Sequence, residues 1–182
     1  LAQAGLLGDT DLWVDVRGSG APVLLLAGLG DPLEAWEFQL DELATEHTVI
    51  AVDNRGVGRS ALPDGELSVA SMADDAAGVV ATLGVGPVHV VGFSGGSAIA
   101  QELALRHPDR VASLVLVGTW ARADAHLTAM LRAWRWIAPA APDPRTFLEA
   151  FFVWVYTAEA HANGFVTAMI DAALAFPHPQ SG

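Results

Sequence analysis

Along the first two thirds of the chain, short apolar runs closed by glycine or proline alternate with longer stretches whose apolar residues recur at helical spacing. Residues 12–16 (Leu-Trp-Val-Asp-Val) alternate apolar with polar, which predicts a half-exposed strand. After a Gly/Pro turn, residues 23–27 form a continuous apolar run, as in a strand buried on both faces. Gly28-Leu29-Gly30-Asp31-Pro32 then leads into a predicted amphipathic helix through Trp36, Phe38, Leu40 and Leu43, with Pro32 in its first turn. Residues 48–52 read as the next strand. Val69–Leu83 reads as a helix stopped by Gly84-Val85-Gly86-Pro87. An apolar run from Val88 enters Gly92-Phe93-Ser94-Gly95-Gly96, a helix follows over 97–106, and Val111–Val117 is a last buried strand. This alternation predicts an α/β protein: a mostly parallel, doubly wound sheet with helices on both faces, preceded by an antiparallel edge strand.

From Thr119 onward the strand pattern stops. Helical segments carry Trp120, Trp134, Trp136, Phe147, Phe151, Phe152, Trp154 and Tyr156, interrupted by the proline cluster at 139–144. The expected organisation is an α/β core over 1–118 and a helical cap segment over 119–182. Most of the aromatics are expected to serve inter-helix packing, a few to line a pocket.

Composition narrows the function. The chain has 182 residues, 52% of them hydrophobic, enough for one sizeable core. Its formal net charge is −12 and all nine basic residues are arginine, which disfavours nucleic acid and anionic membrane surfaces as partners. Without cysteine there is no disulfide framework, thiol nucleophile or cysteine-bound zinc, and the histidines lack metal-site spacing. No P-loop lysine exists. Neither a secretory signal over residues 1–8 nor a membrane-spanning run is visible, so a cytoplasmic location is expected.

The chemistry concentrates at Ser94. Glycines two before and two after it let a strand and a helix approach closely, holding the hydroxyl at the apex of a strained turn, the pattern G-x-S-x-G. The turn also sets the serine at a helix start, where unpaired N–H groups favour developing negative charge. The alternative for the pentapeptide alone is a glycine-rich turn in which Ser94 only caps the helix.

Four features in order resemble the α/β-hydrolase fold superfamily, over nearly the whole chain. They are the apolar strand ending in Ala27-Gly28-Leu29-Gly30, the loop Asp53-Asn54-Arg55-Gly56-Val57-Gly58-Arg59-Ser60, the Ser94 turn, and His107-Pro108-Asp109-Arg110-Val111. Within it, the chain is similar to small esterases, enol-lactonases and cofactor-free haloperoxidases. The resemblance implies an ester or lactone hydrolase that uses no cofactor and works through an acyl-enzyme on Ser94. It implies backbone N–H groups of Leu29 and Gly95 as the oxyanion donors, and Gly28, Phe93 and Trp120 as pocket residues. Ala27 and Phe93 stand where the family often has histidine, and the 55–60 loop is expected to be structural.

The resemblance also implies a histidine base and an acid, placed by the family after later strands. None of the six histidines fits, His178 being the least poor match, and Asp124 is a weak candidate acid. The expectation is an N-terminal fragment of a longer hydrolase, leaving residues 111–117 as an exposed apolar sheet edge. Two other readings remain. One is a non-catalytic small-molecule binding or signalling protein on the same scaffold. The other is a dinucleotide-binding domain, in which Gly28, Gly30 and Asp53 imitate the phosphate and ribose sites, although Leu33 and Asp31 fit it badly.

Overall fold

A computed structural model describes residues 3–8, 10–64 and 67–176. They divide into two compact units, the first running to Ala121 and the second starting at Arg122.

The first unit is built on one six-stranded sheet: β1 (Gln3–Leu6), β2 (Trp13–Gly18), β3 (Ala21–Leu26), β4 (His47–Val52), β5 (Val88–Phe93) and β6 (Val111–Val117), in the spatial order β1-β2-β4-β3-β5-β6. β3 runs parallel to β4 and β5, and β5 parallel to β6, while β2 lies antiparallel to both β1 and β4. The edge position expected for residues 12–16 is therefore corrected: β1 covers that strand, and Asp15 is buried beneath the guanidinium of Arg17.

Strand alternation explains why both faces are covered. Leu24, Leu26, Ile50, Val52, Val88 and Val90 point to one face, where they pack with Ala73, Ala76, Val79 and Val80 of α2 (Val69–Leu83) and with Ile99, Ala100 and Leu103 of α3 (Gly95–Arg106). Their neighbours Val23, Leu25, Val49 and Ala51 point to the other, against Leu33 and Leu40. Leu33 belongs to a 3₁₀ turn, Leu33–Trp36, and Leu40 to α1 (Glu37–Leu43). The single helix expected here is thus two short pieces. Phe38, counted as part of its buried stripe, is 80% exposed, because the 3₁₀ turn changes the phase of the face that follows.

α2 begins and ends where its sequence signals lie. Ser68 and Ser71 form a reciprocal capping box, and Gly84 closes the helix at φ +64°. β6 is not the buried strand that its apolar run alone suggests, but it is the exposed apolar sheet edge expected for residues 111–117. It borders the sheet among the described strands, with Leu114, Val115 and Val117 exposed.

The second unit is helical: α4 (Ala125–Ala140), α5 (Pro144–Phe152), α6 (Ala158–Ala162) and α7 (Phe165–Ala175). Asp124, Asp143 and Thr157 cap the first three by accepting the backbone N–H of Leu127, Thr146 and Ala160. Asp124, the weak candidate acid, thus has a capping role. A chain of ring contacts links Trp134, Phe151, Phe152, Tyr156 and Phe165, and Val166 and Ile170 are buried. Among the described residues, no helix is long and apolar enough to cross a membrane.

Candidate active site

β5 delivers Phe93 and Ser94 to the carboxyl end of the sheet, and α3 starts at the next residue. Ser94 sits at φ +50° and ψ −116°, one of two non-glycine residues at positive φ among those described. A β-substituted residue is strained there by about 1–3 kcal/mol, so surrounding contacts must hold it. They do so through the backbone. The Ser94 N–H donates to the Val117 carbonyl at 2.9 Å, and the Ser94 carbonyl accepts both the Ser97 N–H (2.9 Å) and the buried Ser97 hydroxyl (2.5 Å).

Gly92 and Gly96 allow the corner to close. A Cβ on Gly96 would collide with the carbonyl oxygens of Leu26 and Ala27, and one on Gly92 would stand 2.5 Å from the Gly96 carbonyl oxygen. Strand β3, strand β5 and helix α3 therefore meet backbone to backbone, as the glycine spacing suggested.

Ser94 occupies the N-cap position of α3, yet its side chain makes no capping hydrogen bond. The capping-only alternative is overturned on that point. Among the described residues nothing hydrogen-bonds to its hydroxyl, and the residue is half-buried.

The Gly28–Pro32 turn comes alongside. The nitrogen of Leu29 lies 3.0 Å from where a Cβ on Gly95 would stand, so the two predicted oxyanion donors belong to adjoining backbone. The Phe93 ring lies between two glycines: its Cδ1 is 3.4 Å from a Cβ position on Gly28 and its Cε2 is 3.8 Å from one on Gly118. Trp120 is half-buried, its carbonyl held by Gln101 Nε2 at 3.1 Å, with Thr119 Oγ1 accepting from the same nitrogen.

Asp53 is fully buried and ties the neighbouring loop together. One carboxylate oxygen accepts the Leu33 N–H at 2.7 Å; the other accepts the Arg59 N–H and its guanidinium, each at 3.0 Å. Arg59 also bonds Glu34 and lies 5.2 Å from the Trp13 ring centroid. Ser60 donates to the Asp53 carbonyl and accepts from the Trp13 N–H. The 53–60 loop is thereby structural. Fully buried and bonded inside the protein, Asp53 is out of reach of a ribose, which counts against the dinucleotide alternative.

No described histidine hydrogen-bonds to Ser94. His89 faces Ser113, His107 faces Asp74, and His161 faces the Phe152 carbonyl. His178 lies outside the described residues. Among those described, no group of three or more metal-ligating side chains is assembled.

One ionisable group of this site enters the sequence reading only as a misfit to the dinucleotide alternative. The Asp31 carboxyl oxygen Oδ2 lies 2.5 Å from where a Cβ on Gly28 would stand, beside the Phe93 ring. Burial pushes its pKa up to about 6. The sequence signal was only an acidic residue one step beyond Gly28-Leu29-Gly30.

A family model described as the alpha/beta hydrolase fold matches residues 21–154. The chain is 45% identical over 120 residues to an Azorhizobium caulinodans protein named "Putative carbamate hydrolase RutD", covering 66% of this chain and 45% of that one. It is 34% identical over 179 residues to a Burkholderia fluoroacetate dehalogenase, covering 87% of this chain and 58% of the relative. Among solved structures, a thermophilic esterase from Thermogutta terrifontis, determined with malate bound, superposes with a TM-score of 0.78 at 30% identity. That match covers 91% of this chain and 62% of the esterase. The chain spans about half the length of the curated relatives it matches.

Proposed function

The chain belongs to the alpha/beta hydrolase fold family, and from that premise we propose that it is a serine hydrolase working by acyl transfer. The observation that carries the proposal is Ser94 itself: held at φ +50° by backbone contacts, its hydroxyl making no capping hydrogen bond, with the Leu29 and Gly95 segments beside it. Ser94 Oγ attacks the substrate carbonyl, and its proton passes to a base and on to the departing alcohol as the carbonyl–oxygen bond breaks. Water then adds to the acyl-enzyme and releases the acid and the free serine. The backbone N–H groups of Leu29 and Gly95 take the negative charge that develops on the carbonyl oxygen; a donor of this kind contributes about 10²–10³ in rate. Phe93, Gly28 and Trp120 shape the pocket wall. A base and an acid that orients it complete this machinery, His178 being one candidate base in this chain.

The substrate class is a small carboxylic ester, a lactone or, following the name of the RutD relative, a carbamate. No cofactor is part of the mechanism, and neither nucleic acid nor a membrane is a partner. A fluorophosphonate probe tests the proposal. It is expected to label Ser94 in the full natural protein and to label nothing in Ser94→Ala. Ligand binding without labelling or turnover would instead support a binding protein on the same scaffold.

A further inference from the structure

The Gly28–Pro32 turn carries a half-buried acid that the fold does not use. The Asp31 N–H closes the turn on the Gly28 carbonyl at 3.2 Å, and its side chain folds back over Gly28. There one carboxyl oxygen and the edge of Phe93 occupy the space that a side chain at position 28 would fill. Leu29, the proposed oxyanion donor, leaves the same turn two residues earlier.

The other buried or half-buried acids of this unit that border the sheet are matched. Asp15 has Arg17, Asp53 has Leu33 and Arg59, and Asp75 has Arg55; Glu34 meets Arg59 through Oε1, while its Oε2 is buried without a hydrogen-bond partner among the described residues. Among the described residues, nothing hydrogen-bonds to the Asp31 carboxyl. Its pKa of about 6 arises from burial alone, so near neutral pH it is an anion where an anion is disfavoured. A carboxylate without a protein partner, kept over Gly28 beside the Phe93 ring and on the turn that carries Leu29, is better explained by what it binds than by what it stabilises.

We infer that Asp31 is a specificity-determining residue that accepts a hydrogen bond from an N–H or O–H on the acyl side of the substrate. The inference rests on the acyl-transfer reading of Ser94. A substrate whose carbonyl oxygen meets the Leu29 amide presents its acyl substituent to the same turn, where Asp31 waits for a donor. The site therefore prefers carbamates, and other acyl groups with a donor next to the scissile carbonyl, over plain acetates. Anionic acyl groups are repelled. A site built to bond a donor discriminates strongly against the analogue that lacks it, because the acceptor, partly withdrawn from water, is then left without its partner.

Phenyl carbamate and phenyl acetate, which differ in NH₂ against CH₃, supply the test through phenol release at about pH 7.5. In the full natural protein, the carbamate-to-acetate ratio of kcat/KM is expected to fall about tenfold or more in Asp31→Ala, with acetate turnover changed less than about threefold. Asp31→Asn, which keeps one acceptor oxygen and the side-chain volume, should retain part of the preference. An unchanged ratio in both variants, or equal loss of both substrates, would overturn the role of Asp31 while leaving Ser94 in place. Failure of the unsubstituted protein to turn over either ester, together with no fluorophosphonate labelling of Ser94, would overturn the acyl-transfer reading and this inference with it.

Discussion

The nitrogen of Leu29 closes off the space beside the Gly95 α-carbon: a Cβ on Gly95 would stand 3.0 Å from that nitrogen. Two loops far apart in sequence thus share one wall of the site, and their spacing is set by the missing side chain. Gly95→Ala must push the Leu29 turn outward by a few tenths of an ångström. The expected result is a loss of about 10²-fold in kcat with a change of only ~1 kcal/mol in unfolding free energy, because the turn can give while the oxyanion geometry cannot. Steady-state kinetics beside urea denaturation of the same sample separates the two effects.

Gly96→Ala behaves in the opposite way. The Cβ would meet the carbonyls of Leu26 and Ala27, which belong to the fully buried centre of the sheet and its immediate extension. Nothing flexible is available to move. The expected cost is about 3 kcal/mol or more, read as a large fall in the urea midpoint, with activity lost because the protein is unfolded.

Ser94→Gly should stabilise the protein while abolishing labelling. Positive φ with ψ near −120° is readily adopted by glycine, and the serine hydroxyl makes no compensating hydrogen bond among the described residues. Relief of strain outweighs the added freedom of the unfolded chain by about 1 kcal/mol, seen as a rise in Tm of a few degrees. A fall in Tm would show that the corner is not strained.

Local signals made much of this architecture readable. Ser68, Ser71 and Gly84 mark the ends of α2, and the glycines around Ser94 mark the corner, because caps and close approaches are decided by neighbours in sequence. What escaped depends on distant partners. β1 has no apolar alternation in Gln-Ala-Gly-Leu, and only pairing with β2 makes it a strand. Phe38 carries the right residue type for a buried stripe but the wrong phase, since the 3₁₀ turn before it cannot be read from spacing. Asp53 and Asp31 are both acids near the same loop. Only the fold decides that the first is fully bonded and the second is not.

That contrast predicts the behaviour of Asp53. Its carboxylate is 0% exposed and holds the Arg59 guanidinium and two backbone N–H groups. Asp53→Asn keeps the shape but removes the charge that the half-buried Arg59 guanidinium faces. Breaking such a pair costs about 3 kcal/mol. A urea midpoint within error of the unsubstituted protein would refute the assignment of Asp53 as the link between Leu33 and the 53–60 loop.

Asp31 should leave its mark on the pH dependence of stability. Its carboxyl titrates at 3.8 when unperturbed and at about 6 in the folded protein, raised by burial. Between those values the folded state holds the proton that the unfolded chain has released, so ∂ΔG/∂pH is negative: stability contributed by the neutral carboxyl is complete below about pH 4 and is lost as pH rises through 6. The whole swing is on the order of 3 kcal/mol. Asp31→Asn cannot ionise, and it should remove this slope and raise stability near pH 7 by a similar amount. Urea midpoints measured from pH 4 to 8 for both proteins, compared as a difference so that the other carboxylates cancel, provide the check. A flat difference curve would mean that the Asp31 carboxyl is solvated, and the unpaired acceptor on which its specificity role depends would not exist.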